Sequence, residues 1–362
     1  MPEKLKDRYT KPYIQALGKA LKNQYPPFPE EDFVNAVFDQ TWALRELKDR
    51  MHHIAVKIHE HLRLDYPESI EVLKRTAPEF TGFEAMIFPD FVETYGLEHW
   101  DLSIQALHDF TRFSSSEFAV RAFILKDPER MMAQMLAWSL NGHEHVRRLA
   151  SEGARPRLPW AVALPDFKHS PTPVLPILEN LKQDSSLYVR RSVANHLNDI
   201  AKDNPDITLT LVERWQGTHP DTDWIIKHGC RTLLKQGHLR ALTLFGWTHT
   251  FGVVKKFTLS AHELRIGDTL SFSFELDGGQ ALLGKTRIDY AVDYVKARGH
   301  YGRKIFKLAE KDIRTRQQSF SKAHAFVELS TRRHYPGEHR LTLLVNGQEK
   351  HTAHFMLHPA TH

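Results

Sequence analysis

Along roughly the first 240 residues, apolar positions return at helical spacing. Phe33, Val37, Leu44 and Leu47 form one run, which continues through Met51, Ile54 and Ile58. Leu102, Ala106 and Phe110 form another, with Asp101 placed to cap its start. Prolines 67, 78, 89, 128, 159, 173, 205 and 220 punctuate the pattern where helices are expected to begin or end. From residue 128 the helices fall into pairs. Pro128–Leu140 stops at Asn141-Gly142 and is followed by His143–Glu152, which stops at Gly153. Val174–Gln183 precedes Ser186–Lys202, and Pro205–Gln216 precedes Thr222–Lys235. The second helices align as VRRLASEG from Val146, VRRSVANH from Val189 and IKHGCRTL from Ile226, offset by 43 and 37 residues. Helix pairs recurring at about 40 residues predict an all-α HEAT-like solenoid, a right-handed superhelix with a concave face.

Near Gly246–Gly252 the period changes from helical to alternating. KKFTLS, LSFSFEL, RIDYAVDYVKA, KIFKLAE, HAFVELS and HRLTLLVNG read as strands. Turns are signalled at Ile266-Gly267-Asp268, Asp277-Gly278-Gly279, Pro336-Gly337 and Asn346-Gly347. Six or seven short strands in about 110 residues predict an all-β immunoglobulin-like sandwich without the Cys…Trp…Cys core. The expected organisation is a helical domain over residues 1–248 and a sandwich over 253–362.

Composition narrows the function classes. Of 362 residues 41% are hydrophobic and 26% charged, which excludes wholesale disorder. No apolar run approaches the ~18 residues of a membrane helix. The N-terminus MPEKLKDRYTKPY has no apolar stretch of a signal peptide. The single cysteine, Cys230, cannot form an internal disulfide, and a cytoplasmic protein is expected. The net charge of +5 is unevenly spread. From Lys255 onward there are 18 Lys and Arg against 11 Asp and Glu, a surplus of seven. Val146–Arg191 is a second basic island, with 8 against 4. Both point to an anionic partner.

Several residues invite a chemical reading beside a structural one. Arg191, Asn195 and Asp199 follow one another at i, i+4, i+8, either as a solvated ladder or as the lining of a solenoid groove. Arg148 and Glu152 stand at i, i+4 and can pair. They lead into Gly153-Ala-Arg-Pro-Arg-Leu-Pro-Trp160, where Trp160 either fills core or offers an aromatic face to a cation or a base. Ser114-x-x-Glu117 is a capping-box pattern, which makes helix capping the default role of Glu117. In the C-terminal region Lys296, Arg298, His300, Arg303, Lys304 and Lys307 crowd one strand–loop–strand segment, and Arg332, Arg333, His334 and Arg340 flank another turn. They act as strand-edge charge or as phosphate contacts. Despite 23 histidines there is no HExxH, and GxxxxGK[ST], GxGxxG and GxSxG are absent. No metal, nucleotide or other cofactor is expected.

VRRLASEGARPRLPWA, LYVRRSVANHLNDIAKDNPD and DWIIKHGCRTLLKQG together resemble the AlkC branch of the AlkC/AlkD DNA alkylation-repair glycosylases. LRIGDTLSFSFEL, IDYAVDYVKA and LSTRRHYPGEHRLTLLVNG are similar to the immunoglobulin-like domain of one AlkC subgroup. The resemblance covers nearly the whole chain. It implies hydrolysis of the N-glycosidic bond of cationic methylated bases in duplex DNA, chiefly 3-methyladenine and secondarily 3-methylcytosine, without conventional base flipping. It points to Glu152, Asp199 and Glu117 as carboxylates at the lesion and to Trp160 as the aromatic contact. Arg148, Arg155 and Arg157 would hold flanking phosphates, with Arg190, Arg191 and Lys227 on neighbouring helices. Arg298, His300, Lys304, Arg332 and Arg333 would serve in the sandwich. The partner implied is double-stranded DNA carrying alkylated bases, bound by a monomer in the cytosol. The rival readings are a non-catalytic HEAT scaffold and a sensor of distorted DNA.

Overall fold

The computed structural model describes residues 5–247, 252–280, 282–328 and 333–360. Among them sixteen α-helices precede eight strands. No described helix is long and apolar enough to cross a membrane. The chain divides into two compact units: Met1–Asn204 with Trp215–Gly229, and Pro205–Arg214 with Cys230–His362.

In the first unit the helix Leu187–Asp203 is the central element, packed between the helices Glu144–Glu152 and Pro220–Gly229. Packing on two sides explains why its polar residues Ser192, His196, Asn198 and Asp199 are buried along with its apolar stripe Val189, Val193, Leu197 and Ile200. The approach to Pro220–Gly229 requires a glycine: a Cβ on Gly229 would lie 2.7 Å from Leu197 Cδ2. The helical pairs lie close to their predicted bounds, but four local expectations are corrected. The run through Phe33–Leu47 breaks into the helices Glu30–Val37 and Leu47–Leu62, and Leu44, 80% exposed, lies on a 3₁₀ turn between them. Asp101 does not cap its helix. That helix begins at Trp100 behind His99, and Asp101 bonds Arg130 instead. Thr222–Lys235 is two helices, Pro220–Gly229 and Arg231–Lys235, separated at Cys230. Of the two readings of Arg191, Asn195 and Asp199, the solvated ladder fails at Asp199, which points inward and is 2% exposed.

The second unit contains eight strands: β1 Val253–Leu259, β2 Glu263–Arg265, β3 Thr269–Asp277, β4 Gly284–Val295, β5 Tyr301–Ile313, β6 Gln317–Ala325, β7 Gly337–Val345 and β8 Gln348–His358. They form a three-stranded sheet, β1-β3-β6, and a five-stranded sheet, β2-β8-β7-β4-β5. All pairings are antiparallel except β2 with β8. Inward side chains of both sheets share one core, in which Phe272 of β3 meets Tyr290 of β4 edge to face at 5.2 Å. Asn346 and Gly347, both at positive φ, turn β7 into β8. The strand expected at HAFVELS is corrected: the strand is β6, ending at Ala325, because its nine-residue register with β3 places Phe320 and His324 inward.

Candidate active site

Four segments separated in sequence converge on a cavity of about 670 Å³ in the first unit. Its walls carry Glu117 and Phe118, Arg148 and Glu152 from Glu144–Glu152, Tyr188 from Leu187–Asp203, and Arg155, Pro159 and Trp160 from the loop Gly153–Val162. Phe83, Met86 and Phe113 add apolar surface.

A continuous charge network runs along the wall. Arg148 Nη1 donates to Glu117 Oε2 and, at 2.7 Å, to Ser115 Oγ, which in turn donates to Glu117 at 2.6 Å. Arg148 Nη2 lies 3.4 Å from Glu152, and its guanidinium sits 4.9 Å over the Tyr188 ring. Glu152 accepts from Arg155 Nη1 at 2.7 Å and from Ser192 Oγ at 2.6 Å. Arg155 then forks onto Asp199, at 2.9 Å through Nε and 2.8 Å through Nη2. Lys202 closes the chain, 2.9 Å from the other Asp199 oxygen. Burial opposes the charges of Arg148 and Arg155. The adjoining carboxylates outweigh it and hold both guanidiniums above their ordinary pKa. Accessibility falls along the network: the side chains of Glu117, Glu152 and Asp199 are 14%, 8% and 2% exposed. Glu117 and Glu152 line the cavity, whereas Asp199 stands behind Arg155.

The capping-box expectation for Glu117 is corrected. Ser114 Oγ donates to the Gly82 carbonyl, the helix starts only at Val120, and Glu117 turns to Arg148. Trp160 does not fill core; it is 61% exposed, its ring edge-on to Phe83 at 6.4 Å. Its φ of 63° is left-handed, a strain of about 1–2 kcal/mol for a bulky residue. Lys48 holds its carbonyl at 3.2 Å.

The basic residues separate sharply. Arg148 and Arg155 were expected on phosphates, and this is corrected: Arg155 is buried, Arg148 is only 13% exposed, and both guanidiniums are bound to carboxylates. Arg190 is likewise withdrawn, capping the Asp184 and Ser185 carbonyls and facing Asp221 at 3.3 Å. Arg157 is bonded to Asp203 through two nitrogens yet remains partly exposed. Arg191 and Lys227 are exposed on their helices. In the second unit Arg298, His300 and Lys304 are exposed at the β4–β5 hairpin, and Arg333 is exposed before β7. Arg332 lies outside the described residues. No group of three or more histidine, cysteine, aspartate or glutamate side chains is placed to hold a metal among the described residues.

Sequence reading missed Ser115, Tyr188 and Arg121. A signal existed for the last: Arg121 interrupts the apolar run Phe118–Leu125. Its guanidinium is buried and donates to the carbonyls of Gly153, Arg155 and Val162.

The chain is 39% identical to the Pseudomonas fluorescens alkylpurine DNA glycosylase AlkC, solved bound to DNA containing an abasic site analogue. The two structures align with a TM-score of 0.94 over 98% of this chain and 99% of that one. This chain belongs to the AlkC family of alkylpurine DNA glycosylases. It is also 46% identical over 355 residues to the uncharacterised protein YhaZ of Bacillus subtilis strain 168, covering 98% of this chain and 99% of YhaZ. Residues 253–359 match the model of the C-terminal Ig-like domain of YhaZ. An AlkC-type helical-repeat region followed by an immunoglobulin-like domain is therefore the architecture of this chain.

Proposed function

We propose that this chain is a DNA glycosylase that hydrolyses the N-glycosidic bond of cationic alkylated bases in duplex DNA, 3-methyladenine first and 3-methylcytosine second. The observation that carries the reading is the row of three carboxylates, locked by two largely buried arginines, of which Glu117 and Glu152 line a cavity whose mouth bears an exposed Trp160. The family relative solved on abasic-site DNA supports DNA as partner.

The chemistry follows from the leaving group. A base methylated on its ring nitrogen is already cationic, so its departure needs no proton from the protein. What develops is positive charge on the deoxyribose, together with the need for a water at C1′. Glu117 is the carboxylate best exposed to the cavity, and it meets both demands by stabilising the oxocarbenium-like sugar and orienting the water. Glu152 fixes Arg148 and Arg155, which keep the row in register. Asp199 anchors Arg155 from behind. The Trp160 face favours a cationic base over a neutral one. Arg157 and Arg191 at the first unit's surface, and Arg298, His300, Lys304 and Arg333 in the sandwich, supply phosphate contacts. In this reading residues 1–248 carry the chemistry and 253–362 add DNA affinity, in a monomer that needs no cofactor.

The test is duplex DNA treated with a methylating agent, with released bases resolved by chromatography. Release of 3-methyladenine is the expected result. DNA binding with no methylated base released would overturn the proposal and leave a scaffold or a sensor of distorted DNA.

A further inference from the structure

The loop Gly153–Val162 carries two members of the site, Arg155 and Trp160; Arg155 and Arg157 tie its first half to Glu152, Asp199 and Asp203, but its backbone supplies little hold of its own. Pro156 and Pro159 lack an amide hydrogen. Apart from the helix-end bond of Gly153 to Leu149 at 2.9 Å, the backbone bonds of the loop are long: Arg155 to Glu152 at 3.3 Å, Ala161 to Leu158 at 3.3 Å and Leu164 to Pro156 at 3.2 Å. Trp160 nevertheless keeps a left-handed conformation that a bulky side chain abandons unless its flanks are fixed.

Arg121 supplies that fixing. It projects from the helix Val120–Lys126, the element that follows Glu117, and is only 2% exposed. Its Nη1 donates to the Gly153 carbonyl at 2.9 Å and to the Arg155 carbonyl at 2.8 Å, while Nε donates to Val162 at 2.5 Å. Both ends of the loop and its middle are thus gathered by one planar group. Lys48 takes a further carbonyl, that of Trp160. The arginine makes no ion pair within 4.0 Å among the described residues, and its Nη2 has no hydrogen-bond partner. A buried guanidinium without a carboxylate partner is costly, and burial lowers its pKa to about 10. The three carbonyls offset that cost, and a fork of fixed N–H directions is the side chain that can reach all three.

We infer that Arg121 is the positioning residue of the active site, setting Trp160 and Arg155 against Glu117 by clamping the loop between them. The inference rests on the glycosylase reading for its kinetic consequence, but the clamp itself is measurable without catalysis. Displacing a reacting or selecting group by about 1 Å costs on the order of 100-fold in rate. Arg121→Met is therefore expected to lower the single-turnover rate of base release at saturating enzyme roughly 100-fold. Arg121→Lys keeps the charge but presents a point donor, and is expected to recover less than about tenfold of the loss. Trypsin gives the activity-independent readout, since it can cut after Arg157 but not at Arg155-Pro156. Cleavage after Arg157 is expected to accelerate in both variants under native conditions.

Base release within threefold of wild type in Arg121→Met, or unchanged cleavage after Arg157, would overturn the inference. So would full rescue by lysine, which would make Arg121 a source of charge rather than a clamp. If Arg121→Met fails to fold, Arg121→Lys decides by the same two measurements. Should the wild type release no base, the glycosylase reading fails, and the tryptic comparison still judges the clamp.

Discussion

Glu117→Gln and Asp199→Asn separate a carboxylate that acts on the substrate from one that holds the site together. Asp199 is buried behind Arg155, accepts from its Nε and pairs with its Nη2 at 2.8 Å. Removing one partner of a buried ion pair costs roughly 3–5 kcal/mol, and the amide retains one acceptor, so about 3 kcal/mol is expected. For a helical unit of this size that is a fall in Tm of roughly 6–12 °C. Glu117 is partly reached by solvent, and its partner Arg148 keeps Ser115 and Glu152. Its loss is expected to cost about 1 kcal/mol, roughly 2–4 °C. Catalysis should respond in the opposite order. Removing a preorganised group aimed at developing charge lowers rate by about 10²–10³. Glu117→Gln should therefore lose that factor in single-turnover release of 3-methyladenine with nearly unchanged melting. Its DNA affinity should be equal or higher, because the carboxylate repels phosphate. Asp199→Asn should show the large Tm loss. The assay pair is base release at 20 °C and a thermal melt of each variant. Glu117→Gln retaining more than a tenth of the activity, while folded Asp199→Asn retains less, would refute the assignment of roles.

Three further outcomes are expected. His196 is fully buried, and burial lowers its pKa to about 3, with Arg155 adding to the shift. The unfolded chain takes up that proton near pH 6.5, so stability is lost as pH falls below 6.5, by about 2 kcal/mol at pH 5. In urea melts at pH 5 and 7.5, the stability difference between the two pH values should shift by this amount between wild type and His196→Asn, and no shift would refute it. Glu93 has no hydrogen bond or ion pair among the described residues, and burial, then Asp90, raises its pKa to about 7. The folded state holds that proton longer than the unfolded one, so stability falls as pH rises from about 4.5 to 7. Discounted for partial exposure, Glu93→Gln should be more stable than wild type by about 2 kcal/mol at pH 8, and equality in a urea melt would refute it. Arg298→Ala with Lys304→Ala should weaken DNA binding and reduce the slope of log K against log salt by about one for each phosphate no longer neutralised; an unchanged slope would remove the β4–β5 hairpin from the interface.

Much of the architecture was legible from local pattern. The paired helices, the change of period near Gly246 and the strands β1, β3, β4, β5 and β7 each follow from residues within a few positions of one another. The weaker strands were not legible. On β8 only Phe355 and Leu357 are buried apolar residues, and on β6 the inner face is Phe320 and His324, too little alternation to read before a partner strand sets the register. The motifs named the acidic residues Glu117, Glu152 and Asp199, and did not say what each would meet. Arg148 finds Glu117 across 31 positions, Arg155 finds Asp199 across 44, and Ser192 finds Glu152 across 40. The sequence by itself determined the periodicity, the elements and the types of charge, since these depend on neighbours within a turn or a pleat. Only the tertiary structure decided which charges are spent on one another and which face the cavity. An ion pair in the interior depends on which helices pack together, and desolvation then leaves a buried guanidinium no partner but the groups that packing has placed beside it.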